Sequence, residues 1–196
     1  MQAFRIGAFA AAAFVAASIA QPQVPTRVRG TITAFDGTTL SVKSREGQDL
    51  KIELAPSATF AYMKAVSFAD IKPGTPLGTT TVQGADGKNV AREVHLFNPE
   101  RPIPGEGSRP ADLEPGSTMT NGRVTTLAES ELTVGYKGGE HRVVVPSGIP
   151  MVTAVESDRS VVVVGEYAYI STTADADGKL TATRLQVSRD GVRPPQ

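Results

Sequence analysis

The chain has no cysteine and no tryptophan among its 196 residues. Without cysteine it cannot form disulfides, thiolate nucleophiles, iron–sulfur clusters or cysteine-ligated zinc sites. Lys plus Arg and Asp plus Glu number 20 each, so there is no basic excess to neutralise phosphates, which disfavours a nucleic-acid partner. Gly and Pro, at 19 and 14 residues, are too few for a disordered or collagen-like chain. What remains is a folded protein of one or two domains with no cofactor indicated.

Apolar runs long enough to cross a membrane are also absent. The longest apolar run is typical of a secretory signal peptide. Arg5 precedes an uncharged stretch of 15 residues, 6–20, which is shorter than the ~20 residues of a transmembrane helix. Small residues, Ser18 and Ala20, stand at the positions that signal peptidase reads. We therefore expect cleavage after Ala20 and a periplasmic protein with no stable membrane span. An uncleaved membrane anchor is the alternative.

The rest of the chain contains an internal repeat. Residues 30–35 align with residues 122–127 at an offset of 92, and residues 85–88 align with residues 176–179 at an offset of 91. Ordered identities at a nearly constant offset predict two copies of one domain. The predicted organisation is a signal peptide (1–20), an N-terminal lead (21–27), a first barrel (28–97), a Pro/Gly-rich linker (98–119), a second barrel (120–188) and a flexible tail (189–196).

Each copy has the alternating polar and apolar residues of β-strands, with turns such as Asp36-Gly37 and Glu46-Gly47. Three predicted strands are followed by a segment, 56–72 in copy one, that is rich in helix formers and carries a weak capping box from Ser67 to Asp70. Two more strands follow. This order predicts an all-β protein of two tandem, small OB-like five-stranded β-barrels. An SH3-like barrel or an open sandwich is the structural alternative.

The linker and the small size of each copy give two further expectations. Residues 98–118 hold five Pro and three Gly, so we expect an extended spacer that forms no β-ladder, with one Pro-x-x-Pro as a weak recognition motif. A domain of ~60–70 residues is marginally stable alone. We therefore expect the two copies to pack on each other or on a partner.

These motifs resemble a family of bacterial secreted OB-like domains of unknown function. The resemblance rests on Gly-Thr-Ile-Thr-Ala-Phe-Asp-Gly-Thr-Thr-Leu-Ser-Val at residues 30–42, on Ile-Lys-Pro-Gly at residues 71–74 and on the two Ala-Asp-Gly-Lys turns. It covers both copies and implies a small exported β-barrel, often in tandem, with no established activity. Copy two departs from the pattern where Ala-Glu-Ser at residues 128–130 replaces the Asp-Gly-Thr turn.

Catalytic and metal-binding motifs are scarce, so we expect a non-enzymatic protein. The only histidines, His95 and His141, occupy different positions in the two copies, and no Gly-x-Ser-x-Gly motif occurs. A metal-handling protein is the first alternative, and it would need these histidines to meet, with methionines as further ligands. The methionines available are Met63, Met119 and Met151. A hydrolase is the second alternative, and it would need carboxylates to converge, for example Asp70, Asp86 and Glu93.

Ligand binding is the function that these exclusions leave. OB barrels bind on strands two and three and on the adjoining loops. Tyr167 and Tyr169 are two residues apart and share one face of a strand, where they form a stacking platform if exposed and barrel core if buried. With four Tyr and seven Phe in the chain, core is the favoured interpretation. The candidate ligand face is Tyr136, His141, Arg142, Tyr167 and Tyr169. We expect a binding or adaptor role toward an envelope protein or glycan.

Overall fold

The structure is a computed structural model that describes residues 25–195, and these residues form an all-β protein. The expected signal peptide and its cleavage point lie outside the described residues. The strands are β1 (Pro25–Phe35), β2 (Thr39–Ser44), β3 (Asp49–Ala65), β4 (Pro76–Gln83), β5 (Asn89–Leu96), β6 (Gly107–Pro110), β7 (Thr118–Leu127), β8 (Glu131–Tyr136), β9 (Gly139–Val144), β10 (Met151–Ser157), β11 (Tyr167–Ala174) and β12 (Leu180–Val187).

Five strands form a closed barrel, here called ring one. The order around it is β1-β2-β3-β12-β11 and back to β1. All neighbours are antiparallel except β3 and β12, which run parallel. The core of ring one combines residues from both ends of the chain. Its largest fully buried side chains are Ile32, Leu40, Ile52, Ile170 and Leu185.

Five other strands pair in a second cycle, here called ring two. The order is β7-β8-β9-β5-β4 and back to β7. The parallel contact that closes it, between β5 and β9, consists of two residue pairs, Asn89 with Val143 and Val90 with Val144. Ring two encloses a separate core that includes Leu77, Val94, Leu132, Val134 and Val143.

Neither ring is built from one predicted copy. Ring one takes β1, β2 and β3 from residues 28–97 and takes β11 and β12 from residues 120–188. Ring two takes β7, β8 and β9 from residues 120–188 and takes β4 and β5 from residues 28–97. Relative to the two predicted copies, the last two strands of each, β4–β5 and β11–β12, are therefore exchanged between the rings. The domain boundaries drawn from the sequence stay a prediction.

The two segments that connect the rings along the chain, the second half of β3 and the strand β10, pair with each other. β3 continues for 17 residues, and its second half pairs antiparallel with β10. The register places Ala61 opposite Glu156 and Ala65 opposite Val152. At the repeat offset of 91, residue 61 corresponds to 152 and residue 65 to 156. The ladder is therefore symmetric about its own centre, as in a two-fold exchange of strands.

Residues 56–72, a segment that the sequence leaves open as a helix or a loop, form no α-helix. β3 extends to Ala65, and one 3-10 turn, Phe68–Asp70, follows it. Pairing with β12 and β10 satisfies the backbone of this segment, so tertiary contacts override its helical propensity. The capping box is confirmed: the Ser67 backbone N–H and hydroxyl both donate to Asp70 Oδ2, at 2.7 and 2.9 Å. Copy two likewise carries a 3-10 turn, Arg159–Val161, and the strand β10 that the sequence did not predict.

The prediction that the linker forms no ladder is also wrong. β6 lies inside the linker and pairs with β7, placing Ser108 opposite Thr120. The Asn121 side-chain amide donates to the Pro104 carbonyl at 2.6 Å. Pro110 ends β6, and a short strand with a terminal proline is compatible with an edge position. The linker is therefore part of the sheet on the ring-two side.

The glycines that anchor the repeat mark a close approach between strands. A Cβ on Gly30 would lie 2.2 Å from the Lys43 carbonyl oxygen, and a Cβ on Gly122 would lie 2.3 Å from that of Gly135. Any residue other than glycine would place its Cβ in steric clash with the neighbouring strand at these two positions. A β-bulge follows both glycines at matching positions, after Ile32 in β1 and after Val124 in β7. The aligned glycines Gly30 and Gly122 thus lie in matching local backbone arrangements in β1 and β7.

Candidate functional site

A groove of about 490 Å³ lies beside the ladder that β3 and β10 form. Its walls come from the end of β3, the start of β10, one residue of β5 and the C-terminal tail. The lining residues are Ala65, Val66, Glu93, Ile149, Pro150, Met151, Val152, Gly191, Val192, Arg193, Pro194 and Pro195. Most of these side chains are apolar, so the groove offers a ligand surface from which water is readily displaced.

Backbone hydrogen bonds fix the floor of the groove. The Val66 N–H donates to the Met151 carbonyl at 3.0 Å, and the Val94 N–H donates to the Pro150 carbonyl at 3.0 Å. These bonds tie β10 to β3 on one side and to β5 on the other. The walls are thus continuous with the sheet, and the groove is built before any ligand arrives.

Two charged side chains line the groove. Glu93 is 4% exposed, and the Thr80 hydroxyl donates to its Oε1 at 2.8 Å. The guanidinium of Arg193 lies 5.1 Å from the ring centroid of Tyr167. Glu93 is thus engaged within the protein, whereas the exposed Arg193 guanidinium, at an otherwise apolar surface, can orient a ligand that has an apolar body and a polar end.

The C-terminal tail forms one wall through defined contacts. Arg189 and Val192 exchange backbone hydrogen bonds of 3.1 and 2.9 Å, which folds the tail back on itself. The Arg189 guanidinium lies 4.3 Å from the ring centroid of Tyr62, and Pro194 is buried. The sequence prediction of a flexible tail anticipated none of these contacts, and the one with Tyr62 joins residues that are distant in sequence.

Tyr167 and Tyr169 lie outside the core of ring one, so the favoured interpretation from the sequence was wrong. The alternate residues Ala168 and Ile170 fill the core, and the two tyrosines are half-buried. Each tyrosine ring faces an arginine: Arg193 lies over Tyr167, and Arg29 lies 5.2 Å from the ring centroid of Tyr169. Guanidinium groups therefore already occupy the positions that a stacked sugar or peptide would take.

The other predicted ligand-face residues belong to ring two, so the five do not derive from one ring. The Tyr136 hydroxyl lies 3.2 Å from where a Cβ on Gly139 would stand. Arg142 donates to Glu131 Oε2 through Nε at 2.9 Å and Nη2 at 2.6 Å. Each side chain thus has a local structural contact.

His141 is the member of this set with a chemically distinctive environment. Its Nδ1 lies 2.9 Å from the Thr120 hydroxyl, which in turn lies 3.0 Å from the Ser108 hydroxyl. Burial lowers the pKa of His141 below its usual value. The chain His141–Thr120–Ser108 joins β9, β7 and β6. No sequence motif indicates this chain of hydrogen bonds, because two of its members lie in or beside the predicted linker.

The second histidine lies elsewhere in ring two. His95 Nε2 stands over Gly78, 2.2 Å from where a Cβ would be, and the His95 ring contacts Phe97 edge-on at 4.7 Å. Burial lowers the pKa of His95 to about 4, with the charges of Arg109 and Arg184 acting in the same direction. Within residues 25–195, no group of three or more His, Asp or Glu side chains is arranged to hold a metal ion.

The carboxylates considered for a hydrolase have separate partners. Asp70 accepts from Ser67, Asp86 accepts from the Lys88 N–H at 3.1 Å, and Glu93 accepts from Thr80. They lie in a 3-10 turn, a hairpin turn and β5, respectively.

Comparisons with protein-family models, with characterised proteins and with solved structures found no match. Across residues 25–195, no helix has the length and apolar character needed to cross a membrane.

Proposed function

We propose that this protein is a non-enzymatic binding protein and that the groove beside the β3–β10 ladder is its ligand site. The observation that carries the proposal is a cavity of about 490 Å³ with mostly apolar walls at the junction of the two rings. This volume is in the range of pockets that hold small molecules, and such pockets commonly lie between structural units. The ligand class is a small amphipathic molecule with an apolar body and a polar end.

The arrangement of the rings supports an OB-like assignment for each barrel. Each ring combines three consecutive strands with a hairpin, and each has one parallel contact, between the third strand and the last. This is the order expected of an OB-like barrel if the hairpin is exchanged between copies. Export to the periplasm, expected from residues 1–20, belongs to the same proposal and gives the protein access to envelope molecules.

Binding of the neutral fluorescent probe N-phenyl-1-naphthylamine tests the groove. We expect a saturable rise in fluorescence at one site per chain. Ala65→Phe fills the groove from the end of β3 and should weaken probe binding at least tenfold. Ala34→Phe is the control, because Ala34 is also an exposed strand alanine but lies in β1, away from the groove. Equal affinity in wild type and Ala65→Phe would overturn the proposal.

The alternative function is an adaptor that binds an envelope protein or a glycan. Native mass spectrometry of untagged protein from its own compartment separates the two. A small-molecule mass on the chain supports the groove proposal, whereas a co-purifying protein with an empty groove favours the adaptor. The same spectrum reports whether the chain begins at Gln21, as cleavage after Ala20 requires.

A further inference from the structure

A second cavity, of about 320 Å³, lies between the start of β1 and the linker before β7. It is lined by Arg27, Gly105, Glu106, Gly107, Ser108 and Arg109. None of these residues lines the groove described above. The cavity therefore combines a strand of ring one with the linker on ring two.

The charged side chains of this cavity favour an anion. Arg109 Nη1 donates to the Gly105 carbonyl at 2.7 Å, which fixes one edge of its guanidinium and leaves the other N–H groups for a ligand. In the part of the chain that the structure describes, no carboxylate forms an ion pair with Arg27 or Arg109. Glu106 is the one acidic member, and its Oε1 accepts from the Lys137 backbone N–H at 3.1 Å.

The hydroxyl chain that ends at Ser108 supplies a further donor. Thr120, at the centre of the chain, is 0% exposed, so its hydroxyl exchanges hydrogen bonds with protein partners. When His141 carries a proton on Nδ1, it donates to Thr120 and Thr120 donates to Ser108. The proton of Ser108 then points away from Thr120 and is available to an acceptor in the cavity. A buried chain thus sets the direction of a hydroxyl at the cavity wall.

We propose that this cavity binds a tetrahedral oxyanion, phosphate or sulfate, through the guanidinium groups of Arg27 and Arg109 and the hydroxyl of Ser108. Arginine is suited to this role because its planar donors match pairs of anion oxygens. The anion is either a free ion or the charged end of a larger molecule, and both present the same oxygens. This site is independent of the amphipathic-ligand groove.

Isothermal titration with inorganic phosphate, inorganic sulfate and glycerol phosphate tests the site in the full chain. We expect one anion per chain and at least a tenfold loss of affinity in Arg109→Gln. Arg123→Gln is the matched control, because Arg123 Nη1 also donates to a glycine carbonyl, that of Gly74 at 3.1 Å, yet lies outside the cavity. Tighter binding of glycerol phosphate than of phosphate indicates a phosphate ester as the ligand, and the reverse order indicates the free ion.

The imidazole of His141 gives a second readout that does not depend on a variant. Anion binding should shift His141 toward the Nδ1-protonated form, which ¹⁵N chemical shifts of the ring detect. Ser108→Ala should abolish this shift while leaving weaker anion binding through the arginines. Equal weakening in Arg109→Gln and Arg123→Gln, or an unchanged His141 spectrum at saturation, would overturn the proposal.

Discussion

Arg29 of β1 donates two hydrogen bonds to Asp112 of the linker, Nη1 to Oδ2 at 2.9 Å and Nη2 to Oδ1 at 3.2 Å. The Arg29 side chain is 6% exposed and that of Asp112 is 59% exposed. Two residues further along the linker, Glu114 pairs with Arg92 of β5 at 2.6 Å. The linker therefore forms ion pairs with one strand of each ring. A spacer without such contacts would not connect the rings in this way.

Loss of the Asp112 carboxylate should destabilise the fold more than loss of an exposed ion pair. Asp112→Ala leaves a buried guanidinium without its two acceptors, and we expect the free energy of unfolding to fall by about 1–3 kcal/mol. Glu156→Ala is the control, because its pair with Arg101 at 2.8 Å is exposed on both sides, and should cost below about 1 kcal/mol. Urea denaturation measures both, and equal losses would contradict the structural role of Asp112.

The repeat glycines should not tolerate a methyl group. Gly30→Ala and Gly122→Ala each place a Cβ against a carbonyl oxygen of the neighbouring strand, so we expect each to cost about 1–3 kcal/mol or more. Gly139→Ala is the control, because its Cβ would meet the tip of the Tyr136 side chain at 3.2 Å. Thermal denaturation tests this, and a wild-type melting midpoint for Gly30→Ala would contradict the close approach of β1 and β2 at this glycine.

Acid should destabilise the protein through His95. Because burial lowers the pKa of His95 to about 4, the unfolded chain binds a proton between about pH 6.5 and pH 4 that the folded chain does not. The free energy of unfolding should therefore fall as pH falls through this window, by about 2 kcal/mol between pH 7 and pH 5 from His95. His141, whose pKa is also lowered by burial, acts in the same direction.

Urea denaturation at the two pH values measures this effect, and His95→Gln should make the difference in stability between them smaller. The carboxyl groups of Asp36 and Asp70 do not interfere, because hydrogen bonds lower their pKa below 3.8 and their loss of stability begins at more acidic pH. A pH dependence in His95→Gln equal to that of wild type would show that His95 is readily protonated in the folded protein.

The exchange of strands can be tested with cysteine pairs, since the chain has no cysteine of its own. Arg27 is paired with Ser171 across β1 and β11, so the double variant Arg27→Cys, Ser171→Cys should form an intramolecular disulfide. Without exchange, Arg27 would face the equivalent residue 91 positions earlier, Thr80. The double variant Arg27→Cys, Thr80→Cys should therefore stay reduced, and intact mass before and after mild oxidation distinguishes the two outcomes.

Much of the local structure is predictable from the sequence, because it depends on neighbouring residues. The alternation around Leu40 and Val42 gives β2, and the predicted turns have Gly37 and Gly47 at positive φ, 97° and 86°. The exchange is not predictable in this way. The two predicted copies present the same strand pattern, so nothing in that pattern assigns either hairpin to one ring rather than the other.

The candidate sites were harder to anticipate than the strands. The groove depends on the tail reaching residues near Ala65, and the second cavity depends on the linker lying beside Arg27. Both arise from contacts between segments that are distant in sequence and carry no motif. The one predicted site residue with an informative environment, His141, owes that environment to Thr120 and Ser108 on other strands.

The exchange also determines the order in which the protein can be completed as it leaves a ribosome or a secretion channel. Ring two has all its strands once β9 ends at Val144, whereas ring one lacks a wall until β12 ends at Val187. The part of the chain that emerges first is thus finished last. A product that stops before Leu180 would leave β3 without its β12 partner, and such an edge can pair with another chain. Truncation near the C-terminus should therefore harm the N-terminal barrel first.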